Sequence, residues 1–344
     1  MRDAKAAAEP GSGPELRLGV SSCLLGEEVR YDGGHKHDRY LTGVLGPYVR
    51  FFPLCPEVEI GLGVPRPTIR LEGDATASRF IEPRLVEPRS GADLTAKMND
   101  WARGKMAEIA SWDLHGYVLK KGSPSCGLFR VRVHDDKDVL GRHGPLGGDR
   151  GGKHGRGLFA ARLTEHFPLL PVEEEGRLND PPLRESFVER LFVHERWKRF
   201  LAEDPTSAGL VDFHSRHKLT LMAHSPRHYQ RLGQLTAVAG SRPWDELTAD
   251  YAHGLAAALK VLATRGRHAN ALQHVMGFVK DDLAAADKAE LVETIDDYRR
   301  GLLPLIVPIT LLEHHLRRHE APEWIRRQVY LHPYPKELML RNHV

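Results

Sequence analysis

Cysteine is scarce: the chain has three in 344 residues. An odd, low number argues against a disulfide-stapled fold. The stretch from Met1 to Pro14 has no apolar core of the secretory kind and reads as a loose tail, so a cytoplasmic location is expected, where thiolates stay available to a metal. Long apolar runs are also lacking. No segment approaches the ~20 apolar residues of a membrane helix, so no membrane partner is expected. Neither sign of charge dominates, and a formal net charge of +3 is weak grounds for any partner. The glycine-rich stretch Gly147–Gly157 fits no dinucleotide or Walker pattern cleanly, so no nucleotide cofactor is expected; its amides at a helix start are candidates for anion binding. Apolar content of 41% and charged content of 28% are those of a soluble globular protein, long enough for two domains. Histidine, by contrast, is plentiful, with 20 residues.

The cysteines sit in Ser22-Cys23-Leu24-Leu25-Gly26, Leu54-Cys55-Pro56-Glu57 and Ser123-Pro124-Ser125-Cys126-Gly127. Strands are predicted at Leu16–Ser21, Tyr48–Leu54, Gly116–Lys120 and Leu169–Val172, with helices over Thr95–Ala110 and Gly157–Phe167. Alternation of this kind implies an α/β domain with a mainly parallel sheet. Each cysteine then follows a strand, where ligand groups gather in such sheets. A closed structural zinc site takes four protein ligands, whereas three thiolates on an iron–sulfur cube leave one iron open. Three unrelated small buried thiols are the alternative.

Other candidates surround them. Glu57 stands two residues from Cys55, as a general base or an acid capping the next turn. Ser123 and Ser125 flank Pro124, to donate to a substrate or to satisfy turn amides. Ser22, Tyr31, Asp32, Arg66 and Lys120 complete a candidate substrate-binding set. Tyr31 offers a stacking face, Asp32 an acceptor within ordinary turn grammar, and Arg66 a bidentate donor. Lys120 can offset the charge of a thiolate-ligated cluster.

The second half differs in kind. Residues 174–184 read as a polar linker, and seven amphipathic stretches from Phe187 to His319 imply an all-α helical bundle over residues 185–344. Its candidate RNA contacts are Arg216, Lys218, Arg227, Arg231, Arg265 and Arg267, with Arg317 and Arg318 behind them and Tyr229 and Tyr334 for stacking. A solvated polar face is the alternative. The pairs His214/His217, His224/His228 and His315/His319 have one-face helical spacing, but no cysteine joins them and satisfied polar histidines are the simpler expectation.

Taken together, the cysteine loops with Arg30-Tyr31-Asp32-Gly33-Gly34 and Pro65-Arg66-Pro67 resemble the thiouracil desulfidase (TudS) family in order along residues 15–173. The second half resembles a helical domain often fused to it, a pairing similar to that of bacterial tRNA 4-thiouridine desulfidases. The resemblance implies a 4Fe-4S cluster held by Cys23, Cys55 and Cys126, with Glu57 as acid/base and Ser123 as the assisting hydroxyl. The expected function is non-redox desulfuration of 4-thiouridine in tRNA. Desulfuration of free thiouracil or a small thioamide, or a non-enzymatic RNA-binding iron–sulfur sensor, are the alternatives.

Overall fold

The structure, a computed structural model, describes residues 15–73, 83–135 and 154–344. The chain divides into two compact units, the first ending at Asn179 and the second starting at Asp180. The first unit runs β1 (Leu16–Ser21), β2 (Val49–Leu54), the one-turn helix α1 (Pro56–Glu59), β3 (Arg70–Gly73), β4 (Arg84–Val86), α2 (Thr95–Ser111), β5 (Gly116–Leu119), β6 (Val131–Asp135), β7 (His154–Gly155), α3 (Leu158–His166) and β8 (Val172–Glu174).

Four of these strands form a parallel sheet in the order β2-β1-β5-β8. Its two central strands are buried: Leu16, Leu18 and Val20 line one face of β1, and the adjacent Val118 and Leu119 of β5 are fully buried on opposite faces. This two-sided burial is what a parallel strand covered by helices requires. α2 supplies Met98, Ala102, Met106 and Ile109 to the core, and α3 supplies Phe159 and Leu163. The register pairs Ser21 with Leu54 and Val20 with Val118, so three strands end at one level. Gly19 is dictated by this packing, because a Cβ there would lie 2.2 Å from the Tyr117 ring.

A second sheet, ordered β4-β3-β6-β7, is absent from the sequence reading. Its strands are two to five residues long, too short to leave a periodic signature. β8 also begins at Val172, where the predicted last strand ends.

The second unit contains α4 (Pro181–Glu203), α5 (Ser207–His224), α6 (Pro226–Ala237), α7 (Trp244–Lys260), α8 (Arg265–Met276), α9 (Ala285–Arg300), α10 (Ile306–Arg318) and the one-turn α11 (Glu323–Arg326). No strand occurs among its described residues. Side-chain oxygens of Asp180, Thr206, Ser225 and Thr264 cap four of the starts, satisfying amides that have no partner inside the helix. Leu272, Val275, Leu291, Leu312 and Tyr330 are fully buried in its core. The stretch expected as a linker is structured differently. Glu174 closes β8, and Asp180 caps a helix whose first residue is Pro181. Proline is tolerated there because its missing N–H would have gone unused.

Candidate active site

Each cysteine follows a strand of the parallel sheet. β1 passes straight into a tight turn holding Ser22 and Cys23, closed by Gly26 at φ 95°. Cys55 is the residue before α1, whose first residue Pro56 presets the helical φ and places Glu57 in the opening turn. β5 leads through Lys120 and Lys121 into the loop that carries Ser123, Ser125 and Cys126. All three cysteines line one cavity of about 430 Å³, together with Ser22, Tyr31, Glu57, Arg66, Lys120, Ser123 and Ser125. Of the residues the sequence nominated here, only Asp32 lies outside that lining. Its Oδ1 accepts a 3.1 Å bond from the Gly34 N–H, an ordinary turn closure.

The Cys126 loop is held from behind by α3. The N–H groups of Gly157, Leu158 and Ala160 donate to the carbonyls of Gly127, Pro124 and Ser125 at 2.7, 3.2 and 3.2 Å. The helix-start amides suggested for an anion are thus spent on carbonyls of the cysteine loop. The rest of that suggestion, residues 147–153, lies outside the described residues. Gly157 is obligatory, since a Cβ would sit 2.4 Å from the Ser125 carbonyl oxygen.

Glu57 is the hub of the polar side of the cavity. Arg66 donates to its Oε2 through Nε at 3.1 Å and Nη2 at 2.6 Å, and to the Gly63 carbonyl through Nη1 at 2.9 Å. The arginine read as a substrate donor is therefore buried and occupied, clamping one carboxylate oxygen. Oε1 accepts from Ser125 Oγ at 2.6 Å, and Ser123 Oγ stands 3.3 Å from the same oxygen. The two hydroxyls lie 2.9 Å apart, and Ser123 Oγ also accepts from the N–H groups of Ser125 and Cys126. With the Ser125 hydrogen directed at Glu57, Ser123 must be the donor between the serines. The result is a one-way chain, Ser123 to Ser125 to Glu57 Oε1.

Lys120 lines the cavity but its ammonium is paired with Glu175, whose other oxygen accepts from the Lys121 N–H at 2.6 Å. Two contributors were not among the nominated site residues. Ser21 Oγ accepts from the Lys120 N–H at 3.0 Å and hydrogen-bonds the Cys126 thiol. Arg30 lines the cavity with its guanidinium 5.4 Å from the Tyr31 ring centre. A serine ending a strand and an arginine in a turn carry no signal of their own.

Burial pushes all three thiols up: Cys23 to about 11, with Cys55 and Cys126 also raised, and the neighbouring Cys55 adding to the shift of the other two. Such thiols become thiolates only beside a strongly cationic partner. Among the described residues, no three His, Cys, Asp or Glu side chains close on a point where one metal ion would sit. A lone zinc at ~2.3 Å from each sulfur needs sulfurs about 3.8 Å apart. Three thiols lining one cavity of about 430 Å³ suit a core of several metal atoms instead. The donor set fits an iron–sulfur cluster.

In the second unit the nominated cations separate into two groups. Arg227 and Arg231 are exposed on α6, and Arg265 is exposed at the start of α8 beside Gly301. The others are engaged. Arg216 pairs with Asp212 at 2.8 Å, the Lys218 ammonium lies 5.0 Å from the Trp324 ring centre, and Arg267 donates to the His224 carbonyl at 2.8 Å. Arg267 thereby completes the C-terminus of α5, a capping role. Tyr334 is buried with its hydroxyl on Glu185 at 2.9 Å, so it offers no face for stacking; Tyr229 stacks on His214. Burial lowers His214 to about 4 and His217 to about 3, leaving both uncharged at neutral pH.

Two family models match the chain, one in each unit. Residues 18–175 match the family described as 2-thiouracil desulfurase, and residues 218–335 match DUF1722, a family of unknown function. The chain is 30% identical over 161 residues to the uncharacterized protein YbgA of Escherichia coli K12, covering 46% of this chain and 94% of that protein. It is 29% identical over 108 residues to the uncharacterized protein YbbK of Bacillus subtilis 168, covering 31% of this chain and 71% of that one. Among solved structures, the 4Fe-4S-dependent thiouracil desulfidase TudS is 31% identical, with 48% of this chain and 95% of that chain covered and a TM-score of 0.35.

Proposed function

Since the chain belongs to the 2-thiouracil desulfurase family through residues 18–175, we propose that it is an iron–sulfur desulfidase that converts 4-thiouridine in tRNA to uridine. The net reaction replaces a C=S bond by C=O. Water supplies the oxygen and sulfur leaves as sulfide, with no change of oxidation state. Cys23, Cys55 and Cys126 would hold the cluster, and its remaining iron would supply a thiophilic Lewis acid selective for a thiocarbonyl over a carbonyl.

The chain's own groups do the proton work. Glu57 Oε1 accepts the proton released when water adds to the ring carbon, directly or through Ser125 and Ser123. Arg66 holds Oε2 fixed, so Oε1 keeps facing the cavity. Ser123 gives the relay its outer end, because it is partly exposed while Ser125 is fully buried. Tyr31, at the rim and 42% exposed, offers a face on which an extruded base can stack. The observation that carries this reading is that three thiols and a clamped carboxylate line one cavity. The exposed arginines of α6 support a polyanionic substrate.

The family description also favours a second reading, in which free thiouracil is the substrate. Anaerobic reconstitution with iron and sulfide, followed by incubation with thiolated tRNA and separately with free thiouracil, separates the two. Loss of the thiocarbonyl absorbance from tRNA, with sulfide released in equal amount, is expected. Turnover of the free base alone overturns the tRNA assignment.

A further inference from the structure

We propose that a second cavity of the first unit is a nucleotide subsite, which grips the phosphate and base next to the thiolated residue of a polynucleotide. The inference deepens the tRNA reading and rests on it for the identity of the polymer. This cavity, of about 800 Å³, is lined by Lys121, Phe129, Arg130, Arg156, Arg162 and Arg177, among others. Lys121 lines both this cavity and the one holding the thiols. One stretch of chain serves both. Ser123 to Cys126 face the first cavity, and Leu128 to Arg130 face the second.

The wall between them is built, not incidental. Glu174, 1% exposed, accepts from the N–H groups of Leu128 and Phe129 at 2.7 and 3.1 Å. That anchor fixes the backbone just before two exposed residues. Phe129 is 40% exposed, unusual for a ring that size, and the Arg177 guanidinium lies 4.9 Å from its centre. Arg130 is exposed and held at φ 50°, a left-handed conformation that side-chain-bearing residues rarely adopt. An aromatic ring backed by a guanidinium is a platform for a nucleobase.

Charge selects an anion for the same place. Arg162 pairs with Glu165 at 2.7 Å and Arg177 with Glu173 at 2.8 Å. Among the described residues, no carboxylate pairs with Lys121, Arg130 or Arg156, and Arg156 donates only to the neutral Thr164 hydroxyl at 2.8 Å. The Glu174 carboxylate in the wall is already taken by amides. Three cations without a carboxylate partner among the described residues, beside a stacking ring and next to the thiol cavity, match the repeating phosphate-and-base pattern of a single strand. A free base has no phosphate to place there.

The test uses the full chain and a fluorescein-labelled, unmodified uridine-rich RNA, with binding followed by anisotropy at several salt concentrations. Arg130→Ala is expected to weaken binding about tenfold and to reduce the log–log salt slope by about 0.7, one single-strand phosphate contact. Arg130→Lys keeps the slope. Phe129→Ala weakens binding about tenfold with the slope unchanged, as loss of stacking demands. Wild-type affinity in both alanine variants overturns the subsite, and so does weaker binding by Arg130→Ala at an unchanged slope. Because the probe carries no sulfur, a chain that binds it in this way yet leaves thiolated tRNA intact counts against the desulfidase reading alone. A chain that desulfurates tRNA while Arg130→Ala binds normally counts against the subsite alone.

Discussion

Two serine hydroxyls approach one oxygen of Glu57, and their hydrogen bonds assign them different work. Ser123 Oγ is the acceptor for two loop amides, whereas Ser125 Oγ is the immediate donor to the carboxylate. Ser125→Ala is therefore expected to lose about tenfold or more in turnover while keeping its iron, because it cuts the relay and takes from Cys126 only a long 3.7 Å contact. Ser123→Ala also strips the loop of its amide acceptor, so iron content per chain should fall together with activity. Equal iron loss in both variants would remove the distinction. Glu57→Gln preserves an oxygen for Arg66 to bind but cannot take a proton. Turnover on thiolated substrate should drop a hundredfold or more at unchanged iron content, and normal turnover would mean that the base lies elsewhere.

At the scale of elements, what matters is how helices hold loops and each other. α3 docks on the Cys126 loop through three N–H groups, and Gly157 permits the contact. Gly157→Ala forces the helix start off the Ser125 carbonyl. The variant should melt at a lower temperature and bind less iron, while a change in neither would show the junction to be soft. In the second unit, α4 and α5 are joined by Glu189 and His224, 2.9 Å apart and both buried. Burial opposes both charges, but His224 and Arg341 hold Glu189 below its ordinary 4.5, and Glu189 holds His224 above its ordinary 6.5. The Glu189 contribution is present above pH 4.5 and fades as pH falls below it. The His224 contribution is present below pH 6.5 and fades as pH rises through the raised value. Thermal stability of this unit should peak between these limits, and Glu189→Gln should flatten both limbs in a pH series of melting scans. These helices were legible in the sequence because a 3.6-residue apolar stripe survives over three or more turns. Their starts were less so: α8 opens at Arg265, four residues before its apolar spacing begins at Ala269, because Thr264 rather than an apolar residue sets it.

For the whole molecule, the sequence located the cysteines at strand ends, and the register explains why that sufficed. Three strands of one parallel sheet finish at one level, so residues far apart in the chain line one cavity. Side-chain commitments were not legible in the same way. Whether Arg66 meets a substrate or a carboxylate, and whether Arg267 faces solvent or caps a helix, depends on partners tens of residues away or across a loop. The two units have separate cores, and all three thiols belong to the first. A core bound by those thiols stabilises only the folded form of that unit, by an amount set by mass action: about 4 kcal/mol when the ligand stands a thousandfold above its dissociation constant. For a domain this size that corresponds to a rise on the order of 10 °C in melting temperature. Calorimetry on anaerobically reconstituted protein, before and after an iron chelator, should show one transition falling by that order. Glu189→Gln marks the transition of the second unit, so the one that moves on chelation must be the other. A chelator that shifts the marked transition, or neither, would mean that the three cysteines do not hold the metal.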